Sequence, residues 1–528
     1  MKVYFLCVFA IFLIACNSNG NTSARNDLES YTQLDTINPD IIAGSFSDQK
    51  NLKIDSLAIR QFILAYPLFN PIQQELSKFY NGRGYALAWY ENNRLIEQSN
   101  ILYNRILHME DNGLPLEAPY IEIYSRMMEN PKGQDLVSQE LMLTAQYLTF
   151  AKKVLNGIPE TDSRSIQWYI PRKKINYALL LEDIIQGDTK AISNSLYPQY
   201  KKLRKELVRY NEIEKKGGWE KIESDKRSYK KGDYGNTIAA VRKRLFKTGE
   251  YLGDVHETVY DTTLEKFIIA FQQTNGLIAD GIIKPALIKE LNIPIRERIE
   301  QLIVNMERCR WLPNQTYEKY IVVNIPDYTL FAYKQDSTEF SCKVVVGKET
   351  NKTAIFRGDM KYVVFNPYWN VPESIIKKEI LPEIKKNSRY LEEHEMEWNG
   401  GKIRQKPGAQ NALGKVKFLF PNVFNIYLHD TPAKTLFSKE KRTFSHGCIR
   451  VAEPRKLAVF LLEDEPGWTE EAIDRNMEYG KERYVTLKKP IPVYVVYFTA
   501  FVDDLGRLNF RKDIYLRDHP LRDIILSK

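Results

Sequence analysis

The sequence has no apolar run long enough to cross a bilayer. Its one marked apolar stretch is the thirteen residues Val3 to Ala15, short of the roughly 20 that a membrane helix needs, so a polytopic membrane protein is excluded. Cysteine is scarce as well. Five in 528 residues cannot all pair, and they lack the spacing of a disulfide framework or a metal site. Neither sign of charge dominates: 76 basic against 67 acidic residues leave +9, which suits an anionic surface or acidic polymer without arguing for nucleic acid. The pattern is not that of a collagen or a coiled-coil rod. What remains is a globular balance, 43% hydrophobic and 27% charged, in a chain too long for one ordinary domain; about three or four units are expected. Tyrosine is abundant, at 32, which suits binding grooves.

Lys2 followed by a short apolar core reads as an export signal over residues 1–15. The string Leu13-Ile14-Ala15-Cys16 resembles a bacterial lipobox, in which the cysteine is lipidated and becomes the first residue. Cys16 is therefore the expected lipid anchor. Residues 16–50, rich in Asn, Ser, Thr, Asp and Gly, suit a tether. Cys7 leaves with the signal, so Cys309, Cys342 and Cys448 remain as free thiols.

Residues 51–232 read as a helical scaffold. Leu141, Leu143, Tyr147, Leu148 and Phe150 keep helical spacing, and Gly-Leu-Pro at 113–115 and Gly-Ile-Pro at 157–159 break the helices. Charge-rich 211–232 suits a surface connection. Residues 233–293 form a compact three-helix unit with Asp280-Gly281 at a turn, and 294–317 a linker helix. From Tyr320 the period becomes two: Ile321, Val323 and Ile325 alternate, and strand-like stretches recur to Val493–Phe498. Residues 318–500 are thus a mainly β unit, with a charged insert at about 370–410 and a helix opened by Pro454. Residues 501–528 are expected to pack on the scaffold or the β unit.

Chemistry concentrates in Ser445-His446-Gly447-Cys448-Ile449-Arg450. If this segment is extended, 446, 448 and 450 point the same way, which puts an imidazole and a guanidinium beside one thiol. Nearby positive charge favours the thiolate that attacks, and histidine can pass a proton to a leaving amine. Gly447 lets a carbonyl approach, and the amides around it could hold an oxyanion. His429, at the end of a strand, could shape the pocket. The bland reading is a packed, inert Cys448. His-x-Cys lacks enough partners for zinc. Cys309 and Cys342 read as core, His108 as structural, and His256, His394 and His519 as surface.

Ser445 to Arg450, preceded by Tyr427-Leu428-His429-Asp430-Thr431-Pro432, resembles the L,D-transpeptidase (YkuD-type) signature. Phe79-Tyr80 through Trp89, Arg308 to Pro313 and Asn366-Pro367-Tyr368-Trp369-Asn370 extend the resemblance to the large periplasmic subfamily typified by YcbB. It implies a YkuD-like β-sandwich with a capping insert, a helical scaffold and a peptidoglycan-binding-like module at 233–293. By resemblance Cys448 is the nucleophile and His446 its base, with His429, Gly447 and Arg450 in the site. Ser445, Tyr427, Trp369 and Asn370 are placed near substrate. No cofactor or metal is implied.

The implied reaction cleaves a peptidoglycan stem tetrapeptide between its third residue and D-Ala. A diaminopimelate-type amine then takes the acyl group in a 3→3 cross-link, and carbapenems are implied inhibitors. The expected setting is the periplasmic side of a Gram-negative envelope, as a lipid-anchored monomer that binds no nucleic acid. An L,D-carboxypeptidase with the same thiol would release tripeptide rather than dimers. A non-catalytic wall-binding lipoprotein would leave Cys448 unreactive.

Overall fold

The computed structural model describes residues 41–42, 52–115, 118–186, 188, 190–314, 317–478 and 480–526. The expected signal peptide, Cys7 and the lipid site Cys16 lie outside the described residues. Among the described residues no helix is long and apolar enough to cross a membrane.

The N-terminal part is helical, as its spacing predicts. Its central helix α1 (Leu136–Asn156) starts where Asp135 accepts a hydrogen bond from the Ser138 amide at 2.9 Å, satisfying one of the open N–H groups of a first turn. Leu141, Leu143, Tyr147, Leu148 and Phe150 are all buried. The helix stops at Gly157, φ +63°. A side chain there would meet the Glu307 carboxylate at 1.8 Å, so glycine is required by close approach as well as by backbone angle. A long charged helix α2 (Pro198–Lys215) follows.

The small unit has three helices, α3 (Asn236–Lys247), α4 (Thr262–Thr274) and α5 (Pro285–Leu291). They enclose their own apolar core, which reaches back to Ile222 and Tyr229. The expected surface connection at 211–232 is thus partly inside this unit, with Trp219 stacked under the Arg244 guanidinium at 3.5 Å.

The presumed linker helix α6 (Ile295–Trp311) is a central element instead. Arg298, Asn305, Glu307, Arg308 and Arg310 on it are buried. Their charges are matched locally, Arg310 by Glu307 at 2.6 Å and Arg308 by Asp518 at 2.7 Å. Buried charge is tolerated only when paired in this way.

The β unit is one sheet of nine strands. They are β1 (Lys319–Asn324), β2 (Thr329–Lys334), β3 (Ser337–Gly347), β4 (Phe356–Phe365), β8 (Val416–Leu419), β9 (Leu428–His429), β10 (Thr443–Ser445), β11 (Ile449–Val451) and β12 (Arg483–Val496). The order is β10-β3-β11-β9-β8-β4-β12-β1-β2, and β2 also pairs with β3. The long β3 meets β2 with its first residues and β11 with its last, so the sheet closes on itself. A separate three-stranded sheet lies in the insert: β5 (Trp369–Asn370), β6 (Met396–Asn399) and β7 (Lys402–Gln405). Helix α7 (Pro454–Leu462) turns Leu457, Phe460 and Leu461 inward, as read from sequence.

A terminal hairpin, β13 (Ala500–Val502) with β14 (Leu508–Phe510), leads to helix α8 (Asp518–Leu526). This segment packs on both large parts. Arg517 donates to the Ile166 carbonyl at 2.8 Å, and the Tyr515 hydroxyl donates to the Gly347 carbonyl at 2.6 Å. One apolar core runs without a break from Ile54 in the scaffold to Ile525 in α8.

Candidate active site

Strands β9 and β11 lie side by side and parallel, with Leu428 opposite Ile449 and His429 opposite Arg450. The Ile449 amide donates to the Tyr427 carbonyl at 3.1 Å, which brings Tyr427 beside Cys448. Alternation along a strand puts Tyr427 and His429 on one face, and their rings are 5.7 Å apart. Six residues quoted from the two signatures therefore meet at this strand pair.

The extended conformation expected for 446–450 fails at its first half. Residues 446–448 form a bend rather than a strand, and Gly447 has φ +119°, a region open to glycine. Ser445 is buried and spends its hydroxyl on this bend. It accepts from the Gly447 amide at 3.2 Å and donates to the Cys448 carbonyl. The Thr353 hydroxyl donates to the Gly447 carbonyl and accepts from the Gly347 amide, both at 2.9 Å. Thr353 is thus a loop support with no signature in the sequence.

Because of the bend, His446 does not follow the alternation of a strand. Among the described residues no hydrogen bond joins it to Cys448. Its Nε2 instead meets the Glu379 carboxylate of the insert at 2.7 Å. A carboxylate accepts, so Nε2 carries the hydrogen and Nδ1 is the basic nitrogen.

Cys448 is half-buried. Burial pushes its thiol up, and the neighbouring Tyr427 opposes that shift. The thiol itself lies 3.6 Å from the Asn425 carbonyl. Burial also pushes the Tyr427 phenol up, and Trp369 on β5 opposes that shift. Polar groups thus follow one another from the insert, at Trp369, through Tyr427 to the sulfur. Asn370, next to Trp369, is exposed.

His429 is buried, and its pKa is pushed down to about 4 by that burial and then by the Arg450 charge. The ring is neutral near pH 7. Its Nδ1 donates to the Asp430 carbonyl at 2.5 Å, which leaves Nε2 as the acceptor. Arg450 is partly buried, and its Nε has no hydrogen-bond partner.

The loop that carries Asn425 is backed by the scaffold. Tyr169 packs on Phe424 with ring centres 5.0 Å apart, and the Tyr169 amide donates to the Ile355 carbonyl at 2.9 Å. Above the site, Val371, Ile375, Ile376, Ile380 and Ile403 give the insert a small core of its own. A single π-helical turn at Ile376–Ile380 carries Glu379; such turns, with one extra residue per turn, recur at functional sites.

Cys309 and Cys342 are buried, as expected of core residues. Burial raises the Cys309 thiol and takes Cys342 to about 11. His256 and His519 are exposed, whereas His394 is partly covered and stacks on Tyr390 at 4.0 Å. Among the described residues no group of three or more His, Cys, Asp or Glu side chains could hold a metal ion.

Residues 318–471 match the family described as the L,D-transpeptidase catalytic domain, and residues 74–207 match a scaffold domain. A Haemophilus influenzae protein, described as a candidate L,D-transpeptidase, is 32% identical over 254 residues. That is 44% of this chain, and the chain spans 50% of the relative's length. Two solved L,D-transpeptidases overlap weakly. The Stackebrandtia nassauensis structure is 13% identical, covers 52% of this chain and 97% of its own, and has a TM-score of 0.22. The Mycobacterium smegmatis structure is also 13% identical, covers 34% and 58%, and has a TM-score of 0.20. At these scores the overlaps carry no argument, and the matched segments do. The chain therefore carries a catalytic domain of the L,D-transpeptidase family, homologous to bacterial members, joined to a helical scaffold.

Proposed function

We propose that the protein exchanges amide bonds in peptidoglycan through a thioester on Cys448. Cys448 attacks the carbonyl between the third residue of a stem tetrapeptide and D-Ala. The C–N bond breaks, D-Ala leaves as an amine, and the acyl group stays on sulfur. The side-chain amine of a second stem, of diaminopimelate type, then displaces the sulfur and completes a 3→3 cross-link. One amide replaces another, so no ATP is needed.

The observation that carries this reading is the surrounding of Cys448. Its thiol is held protonated by burial, and the neighbouring Tyr427 favours the thiolate. That arrangement favours a nucleophile that ionises only as it attacks. The family resemblance implies His446 as the base. The bond from His446 to Glu379 and the neutral His429 on the Tyr427 face favour His429 for the thiol proton, which it then passes to the leaving amine. Arg450 has no ion-pair partner among the described residues and suits a substrate carboxylate. Trp369 and the insert limit water near the thioester, which hydrolysis would otherwise exploit.

The remaining parts fit one setting. A lipid on Cys16 would hold a monomer on the periplasmic side of the envelope, and residues 233–293 would meet the glycan. The test is incubation of the mature protein with tetrapeptide muropeptides, followed by mass spectrometry. The parent gives cross-linked dimers and Cys448→Ala gives none. Identical products from both sink the assignment, and tripeptide without dimers favours the carboxypeptidase. A carbapenem should add its mass to the parent alone.

A further inference from the structure

The reaction proposed above has two half-reactions with different proton needs. In the first, a proton moves within the site, from the thiol to the departing amine. In the second, the acceptor arrives as an ammonium and ends as an amide, so a proton must leave for bulk water. One buried neutral imidazole serves the first. It serves the second poorly, because a ring buried away from solvent has no open path to pass that proton to bulk water.

The molecule holds a second pair of groups suited to the other task. His446, on the bend before Cys448, and Glu379, on the π-helical turn of the insert, meet at 2.7 Å with side chains 36% and 54% exposed. Glu379 has no other ion-pair partner among the described residues. Its neighbour Lys377 is taken by Glu373 at 2.5 Å. Ile376 and Ile380 anchor the turn in the insert's core, which leaves Glu379 on the side toward the signature bend. Since Glu379 accepts from Nε2–H, the basic Nδ1 of His446 is available, and half of the carboxylate still faces solvent.

We propose that Glu379 and His446 form the acceptor-amine site. The Glu379 carboxylate draws in the primary ammonium, a pairing of opposite charges at a half-exposed position. Nδ1 of His446 takes one proton from that ammonium, and the resulting imidazolium is stabilised by Glu379 until it releases the proton to water. The neutral amine attacks the thioester carbonyl, the C–N bond forms and the C–S bond breaks. The sulfur leaves as thiolate and regains the second amine proton. Glu379 is then a catalytic residue of the second half-reaction, and the insert supplies chemistry as well as cover.

The inference rests on the thioester reading, and the experiment separates the two. Thioester formation from donor tetrapeptide is followed by intact mass, and transfer is followed with two acceptors. One is an alkyl ammonium such as a diaminopimelate side chain; the other is hydroxylamine, already neutral at pH 7. In Glu379→Gln, transfer to the ammonium acceptor should fall roughly 100-fold, at least ten times more than acylation falls. The acceptor KM should rise, and hydrolysis should take a larger share. Transfer to hydroxylamine should fall far less, and Glu379→Asp should recover part of the ammonium activity. Equal losses with both acceptors, or equal losses in acylation and transfer, would mean that Glu379 only holds the insert shut, and the proposal fails. If the parent forms no thioester on Cys448, the underlying reading fails and this one with it.

Discussion

His429 and His446 are neighbours of the same cysteine in the sequence pattern, yet they occupy opposite environments. His429 stands on a strand in the floor of the site. Burial and the Arg450 charge keep it neutral, and its Nδ1 is fixed by the Asp430 carbonyl. His446 stands on a bend at the rim, partly in solvent, and faces a carboxylate from the insert. The floor is set by strand register, which rigid backbone hydrogen bonds enforce. The rim is set by a glycine bend and by a separately packed insert. Two titratable groups of one type, pushed into different surroundings, are suited to different proton transfers.

Separating the two histidines gives the largest effect after loss of Cys448 itself. His429→Ala should slow thioester formation by roughly 10²–10⁴-fold, the range of a lost general base. His446→Ala should slow the same step much less and reduce transfer to an ammonium acceptor instead. Single-turnover acylation by a carbapenem or a tetrapeptide, read by intact mass, checks both. A larger acylation defect in His446→Ala than in His429→Ala would reverse the assignment of floor and rim.

Stability against pH tests the floor alone. The pKa of His429 lies near 4 in the folded chain, against an ordinary value of 6.5. Between these values the unfolded chain binds the extra proton, so stability rises with pH across that window. The contribution is complete above about pH 6.5, is lost as pH falls toward 4, and levels off below. At 1.36 kcal/mol per unit the whole effect is about 3 kcal/mol. Buried carboxylates such as Glu140 and Asp518, raised by burial, slope the other way. The informative quantity is therefore the difference between the parent and His429→Gln in urea melts from pH 4 to 7. A difference that does not vary with pH would mean that the ring is not held neutral.

Much of the architecture was legible because it follows short-range period. Leu141 to Phe150 on α1, the alternation from Tyr320 onward, and the helix behind Pro454 were all read from local spacing. The burial of Cys309 and Cys342 followed from their places in a helix and in an alternating strand. The Cys448 signature was legible as a string, and His429 and Tyr427 came with it. What failed depended on distant partners. Residues 294–317 read as a linker helix, yet Arg298, Glu307, Arg308 and Arg310 on it are buried. Arg310 pairs with Glu307 one turn away, Arg298 with Glu290 on α5, and Arg308 with Asp518 at the far end of the chain. Alternation through His446 failed because Gly447 bends the chain. Glu379 gave no signal at all, since one carboxylate among Lys377, Lys378 and Glu373 reads as a solvated face. Only the meeting of the insert with the signature bend singles it out.

The smallest expected effect concerns the link between floor and insert. Tyr427 favours the Cys448 thiolate and Trp369 in turn favours an ionised Tyr427, so the insert can reach the thiol through one hydroxyl. Tyr427→Phe keeps the ring and removes that hydroxyl. A hydrogen bond to a charged group contributes roughly 1.5–3 kcal/mol, so acylation should slow by about ten- to a hundredfold. The thiol should also need a higher pH to react with iodoacetamide. Trp369→Phe removes only the more distant polar group and should act in the same direction with a smaller size. Equal alkylation profiles for the parent and Tyr427→Phe would show that the sulfur does not depend on the phenol. Equal effects from Tyr427→Phe and Trp369→Phe would instead point to a change in how the insert closes. A graded response is the result that ties the thiol of the floor to the position of the insert above it.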